Sequence, residues 1–168
     1  LDRYLVTATI RSDASSKFAK NNRVGYFPSV ALGWNAKEEN FLKDVDWISM
    51  FKVRAGWGQV GNQSSAGVGD YISRIANGFK YVLDDKVYEG RIPEYMSNPN
   101  LKWEISEQTN LGLDLSLFGE KLGLNLDYFN KKTKDMIVRV PVPLYFGAKN
   151  PLVNVGTMQN SGFEFTVN

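Results

Sequence analysis

At 168 residues, with 43% hydrophobic and 23% charged side chains, the chain has the composition of an ordinary folded protein. A net charge of +2 gives no reason to expect a nucleic-acid partner. The absence of Cys and His removes thiol nucleophiles, Ser-His-Asp triads and His- or Cys-based zinc sites, and no carboxylate pair stands out as catalytic.

The elements are read from side-chain period, since successive side chains of a strand point to opposite faces. Tyr4, Val6, Ala8 and Ile10 alternate with Thr7, Thr9, Arg11 and Asp13, which predicts a strand near 4–13. A polar loop over 14–24 follows. Val30, Leu32 and Trp34 mark a second strand near 25–35, with Pro28 tolerable at its start. Phe41, Leu42, Val45 and Ile48 have roughly helical spacing and suggest a short amphipathic turn. Phe51, Val53, Ala55 and Trp57 alternate with Lys52, Arg54, Gly56 and Gly58 in a third strand near 51–58. The stretch 59–102 reads as a long loop with a short strand near Lys80 to Leu83.

The clearest signal lies further on. Leu111, Leu113, Leu115 and Leu117 oppose Asn110, Gly112, Asp114 and Ser116. After the turn Phe118-Gly119-Glu120-Lys121, Leu122, Leu124, Leu126 and Tyr128 oppose Gly123, Asn125 and Asp127. This is an antiparallel hairpin with strands near 103–117 and 122–138. A loop over 139–160 leads to a sixth strand near 161–168. The fold class expected is all-β, an antiparallel up-and-down meander of about six strands.

The polar side of these strands is mostly small and neutral with isolated carboxylates, as in a watery lumen backed by a lipid-facing stripe. No apolar run reaches the roughly 18–20 residues of a transmembrane helix, but barrel strands need none. Strand parity makes Arg11, Asp13, Lys52, Arg54, Asn110, Asp114, Asn125 and Asp127 lumen-facing candidates, and Leu111, Leu113, Leu115, Leu124 and Leu126 lipid-facing ones. Loops after strands one, three and five read as long, and those after two and four as shorter. Trp57, Trp103 and Tyr128 near one edge, and Trp34 and Phe118 near the other, are placed as two aromatic girdles. Six strands fall short of the roughly eight that close a membrane barrel, so a piece of a larger barrel is expected. The competing reading is a soluble secreted β-sandwich that binds glycans on aromatic platforms.

Particular stretches resemble SusC/RagA-type TonB-linked outer-membrane transporters. They are Tyr4-Leu5-Val6-Thr7-Ala8-Thr9-Ile10-Arg11-Ser12-Asp13, Phe27-Pro28-Ser29 with Gly33-Trp34, and Lys52-Val53-Arg54-Ala55-Gly56-Trp57-Gly58-Gln59-Val60-Gly61-Asn62-Gln63. Asn98-Pro99-Asn100-Leu101-Lys102-Trp103-Glu104, Asp127-Tyr128-Phe129-Asn130-Lys131-Lys132-Thr133 and Asn154-Val155-Gly156-Thr157-Met158-Gln159-Asn160-Ser161-Gly162-Phe163-Glu164 continue the match in the same order. The resemblance implies a C-terminal portion of a 22-stranded barrel in the cell outer membrane, importing oligosaccharides or peptides. It further implies a SusD-like surface lipoprotein and energy from TonB through a plug domain absent from this sequence.

Three other motifs are weighed. Gly56-Trp57-Gly58-Gln59-Val60-Gly61 fits G-x-G-x-x-G but lacks the helix that a dinucleotide site needs, and no cofactor is expected. Asp84, Asp85 and Glu89 offer oxygens for calcium, though as an incomplete ligand ladder. Lys131, Lys132 and Lys134 suit lipopolysaccharide phosphates at the outer rim.

Overall fold

The computed structural model describes residues 3–143, 145, 147 and 149–168. Six long strands form one sheet: β1 (Tyr4–Ala14), β2 (Val24–Asn35), β3 (Ile48–Asn62), β6 (Glu104–Leu117), β7 (Leu122–Lys134) and β10 (Thr157–Val167). They lie side by side in sequence order, and every neighbouring pair is antiparallel. Between them are two small hairpins, β4 (Ile75–Leu83) with β5 (Lys86–Pro93) and β8 (Ile137–Arg139) with β9 (Leu152–Asn154). No helix is long and apolar enough to cross a membrane among the described residues. The 36–47 segment is a short 3-10 turn, Ala36–Glu38, followed by turns closed by Leu42 N–H to Glu39 O and Val45 N–H to Leu42 O.

Register fixes the two faces. Val6, Leu32, Ala55, Leu111, Tyr128 and Phe163 form one row straight across the sheet. The next row in one direction is Tyr4, Trp34, Val53, Leu113, Leu126 and Phe165. All these side chains share a face, and it is bare: Val6 is 70% exposed, Leu111 51% and Phe163 76%. A β-sandwich would cover such a face with a second sheet, but both other sheets lie in the connections. The sandwich alternative is therefore not favoured. From Thr109, opposite Trp57, to Leu117 the apolar side of β6 runs nine residues, against about 9–11 for a tilted membrane strand.

Local chemistry explains the strand ends. Pro28 sits where β2 pairs only with β1, because pairing with β3 begins at Ser29, so its missing N–H costs nothing on the β3 side. Phe118, Gly119 and Glu120 all have positive φ (55°, 67° and 67°), which reverses the chain between β6 and β7. Asp84 and Asp85 (φ 50° and 58°) occupy the centre of the two-residue β4–β5 turn, a position that needs positive φ.

The buried core lies at one edge of the sheet, in the connections after β1, β3 and β7. Phe18, Phe27, Ala66, Leu101, Trp103, Ile137 and Leu152 form it, with Tyr71 and Ile105 packed alongside. Trp103 packs against Phe18 and Phe27 with ring centroids 5.3 and 5.6 Å away, and its indole N–H donates to Arg23 O at 3.1 Å. Trp103 is thus a core residue and does not belong to a girdle, because its ring faces other loops instead of the sheet's apolar side. Gly61 makes room for Phe27, whose ring a Cβ there would strike.

Three asparagines tie the loops together. Asn22 Nδ2 donates to Leu101 O (3.3 Å), Asn98 Nδ2 to Leu152 O (2.8 Å), and Asn154 Nδ2 to Lys102 O and Asp135 O (2.8 and 2.9 Å). Lys102 N–H returns a bond to Asn154 Oδ1. The connection over 36–47 is longer than that over 15–23, contrary to the length contrast expected between the two edges. What separates the edges is packing, since the shared core gathers at one of them.

Truncating Trp103 to Ala should cost the loop core about 3–5 kcal/mol, the range for a buried aromatic. Hydrogen exchange on the full-length protein should show faster exchange over 15–23 and 135–154, with β6 and β7 still protected. Uniform loss of protection through the strands would contradict an edge core separate from the sheet.

Candidate functional site

The eight candidates read as polar-face residues do share one face by register, opposite the five leucines. Four of them meet. Arg54 on β3 donates from Nε and Nη2 to both oxygens of Asp114 on β6 (2.7 and 2.8 Å) and from Nη2 to Asp127 on β7 (3.1 Å). Asn125 Nδ2 donates to Asp114 Oδ1 at 3.0 Å. The fork of one guanidinium therefore bridges three neighbouring strands, a geometry that Lys could not reproduce. Lys52 stands opposite Asp114 in register, and Asn110 accepts a bond from Gln108 Nε2 at 2.9 Å. Arg11 and Asp13 form their own ion pair on β1 (2.6 Å), away from this network. On the other face Leu111 and Leu126 are exposed, whereas Leu113, Leu115 and Leu124 are half-covered by neighbouring apolar side chains.

Gly112 is the residue that the sequence pattern alone did not single out. A Cβ there would lie 2.8 Å from Arg54 Cζ and 2.5 Å from Asp127 Oδ1. Its hydrogen side chain is the space through which Arg54 reaches β7. Only the register of three strands reveals this role.

The apolar face turns polar toward the loop edge. Trp57 Nε1 and Gln59 Nε2 donate to Glu107, and Lys134 Nζ pairs with it at 2.8 Å. Lys132 lies opposite Glu107 on the same face. Lys131 does not join them. Parity turns it to the polar face, where it lines a hollow with Arg54, Gln108 and Glu164. At the opposite edge, Tyr4 Oη and Trp34 Nε1 donate to Glu39 Oε1 (2.7 and 3.2 Å), and Arg3 stands 3.4 Å from its other oxygen. The bond from Tyr4, then that from Trp34, holds the Glu39 carboxyl below its ordinary pKa.

In the loops, the β4–β5 hairpin is fastened to the segment after β8. Lys149 N–H donates to Glu94 O at 2.8 Å, and Lys149 Nζ to Glu94 Oε1 at 2.7 Å. Arg139 and Lys149 both stand over the Tyr95 ring, 5.4 and 5.2 Å from its centroid. Between hairpin and segment is a cleft of about 740 Å³. No cluster of three carboxylates gathers among the described residues. Asp84 and Asp85 have a conformational role in the turn, and Glu89 sits across from Lys80 in the ladder. Gly56, Gly58 and Gly61 all lie within β3, and strand runs on to Asn62 where a nucleotide site would require a helix.

Replacing Gly112 by Val should push Arg54 off Asp127 and lower stability by about 1 kcal/mol. That is below the roughly 1.5–3 kcal/mol of a charged hydrogen bond and at the top of the range for exposed ion pairs, because Arg54 is 41% exposed. Urea unfolding of the full-length protein in detergent measures it, and adding Asp127→Ala should cost almost nothing more. Full additivity of the two substitutions would contradict the shared bridge.

Comparison with known proteins agrees with this architecture along the whole chain. A TonB-dependent receptor of Formosa agariphila is 40% identical over 99% of this chain, and the TonB-dependent receptor SusC of Bacteroides thetaiotaomicron is 41% identical over all of it. The chain spans only 16% and 17% of those relatives, about a sixth of their length. The solved structure of the RagAB peptide importer in its closed-closed state superposes with a TM-score of 0.86 at 28% identity, covering 99% of this chain and 18% of that one. The siderophore receptor PirA from Pseudomonas aeruginosa, at 19% identity and a TM-score of 0.58, shares the fold. The family model described as TonB dependent receptor-like, beta-barrel matches residues 1–168, and the chain belongs to that family.

Proposed function

We propose that these residues form part of the wall of a 22-stranded barrel in the cell outer membrane, in a TonB-dependent importer of oligosaccharides or peptides. The observation that carries the reading is the bare apolar face backed by a polar one, maintained through six strands of a sheet similar to SusC and RagAB. In hydrocarbon every backbone N–H and C=O needs a partner, so the outer edges of β1 and β10 would pair with further strands of the full barrel.

On this reading the lipid meets Leu111, Leu113, Leu115, Leu124 and Leu126. Arg11, Asp13, Lys52, Arg54, Asn110, Asp114, Asn125 and Asp127 face the lumen. Trp57 and Tyr128 sit toward one lipid–water boundary, and Trp34 with the neighbouring rings of Trp47 and Phe118 toward the other. Lys132 and Lys134, on the apolar side above Trp57, would meet the phosphates of outer-leaflet lipopolysaccharide. The packed loops face outward, toward a SusD-like lipoprotein. TonB would act through a plug domain elsewhere in the full protein.

Two classes of variant test this assignment in the same cells. Deleting residues within 67–95 should leave surface abundance intact and impair uptake or lipoprotein capture, because the deletion spares Leu101 and Trp103. Leu113→Lys should instead lower surface abundance, since a Lys at the bilayer midplane costs about 2–4 kcal/mol. Normal abundance for Leu113→Lys together with lost abundance for the deletion would overturn the assignment.

A further inference from the structure

The cleft between the β4–β5 hairpin and the segment after β8 is neither part of the sheet nor part of the loop core. Ala76, Phe79, Ile92 and Val142 supply its apolar wall, and Glu94, Tyr95, Arg139, Lys149 and Asn150 line the rest. Its volume of about 740 Å³ lies within the roughly 300–1,000 Å³ of small-ligand sites, enough for a few amino-acid residues. Phe79 remains 47% exposed there. No segment of the described chain fills this space.

Its polar groups are already committed. Asn150 Oδ1 accepts from Val142 N–H (3.2 Å), and Asn150 O accepts from Arg139 Nη1 (3.3 Å). Glu94 and Lys149 neutralise one another. A sugar would have to give up water from its hydroxyls and find few partners in return, a loss for every unmatched group. Tyr95 is a poor stacking platform, because two cations already occupy its surroundings. The remaining asymmetry is electrostatic. Among the described residues Arg139 has no carboxylate partner, so one end of an apolar cleft carries an uncompensated guanidinium.

We propose that this cleft binds a short peptide, apolar side chains against Phe79, Ile92 and Val142 and a carboxylate on Arg139. The proposal rests on the importer reading above and deepens it, favouring peptides over oligosaccharides as the solute met at this loop site. The hairpin and the segment hold their spacing through the Glu94–Lys149 bridge, so the site is formed before the ligand arrives.

The test uses the full-length protein purified in detergent, with binding followed by fluorescence anisotropy. The probe is a dye-labelled five-residue peptide with leucine and phenylalanine beside a C-terminal glutamate. A serine-substituted peptide and a six-sugar neutral glucan serve as competitors. The apolar peptide should bind, its unlabelled form should compete, and both competitors should fail. Phe79→Ser and Arg139→Glu, both with side chains at the surface, should each weaken the peptide about tenfold or more. Val142→Asp should do the same, and heat-modifiable gel migration checks that each variant is folded. Equal competition by the glucan, or unchanged peptide affinity in folded Phe79→Ser and Arg139→Glu, overturns the proposal. So does a result in which these variants lose the lipoprotein but keep the peptide, which would make the cleft a protein contact. Binding here needs neither TonB nor a membrane, so failure of the importer reading would appear separately, as wild-type cells without uptake.

Discussion

Unbroken antiparallel pairing is the constraint on which everything else in this chain depends. Side chains alternate with period two, so one residue of slip in any pair would carry all later apolar side chains to the wrong face. From β1 to β10 no such slip occurs within the membrane-length part of the sheet; its register shifts at Ile48/Met50, beside the turn edge. Rows of apolar residues therefore line up across all six strands. The same register brings Arg54, Asp114 and Asp127 together from three strands, and it places Gly112 where their bridge needs an absent side chain.

A sheet of this kind has no interior of its own to stabilise it. The only extensive apolar packing among the described residues is at one edge, where Phe18, Phe27, Leu101, Trp103, Ile137 and Leu152 close over the strand ends. Asparagine amides serve there as short crossties between connections, each donating to a backbone carbonyl of a neighbouring segment. That arrangement explains two stretches of the sequence in physical terms. Asn98 to Glu104 supplies a crosstie, two buried side chains and a carboxylate that accepts from Asn62 Nδ2 and Ile137 N–H. Asn154 supplies the reciprocal tie from the next loop. The hairpin and cleft are carried on this fixed base, so long loops here are placed elements with defined neighbours.

Strands were legible wherever alternation was long and aliphatic, as in Leu111 to Leu117 and Leu122 to Tyr128. Parity also separated the polar-face set from the leucines, and the same parity, applied to Lys131, would have parted it from Lys132 and Lys134. The β4–β5 hairpin was visible only as a strand near Lys80 to Leu83, because its turn is Asp84-Asp85 and a bulge between Ala76 and Phe79 breaks the period. The three-residue strands β8 and β9 carry no periodic signal; they exist because each pairs with the other across a loop. Trp103 was misplaced for a related reason, since a tryptophan beside a strand suits a membrane boundary and a packed core equally well. Contacts between distant loops leave no local trace.

Which face meets lipid is the central claim, and depth-dependent quenching tests it most directly. Single tryptophans at positions 111 and 126, and at 114 and 127 for comparison, would be placed in the full-length protein with its other tryptophans replaced by phenylalanine. Reconstitution into bilayers of brominated lipid should quench the first pair strongly and leave the second near its value in unbrominated lipid, while aqueous iodide should favour the second. Quenching by brominated lipid at 114 and 127 in place of 111 and 126 would contradict the account.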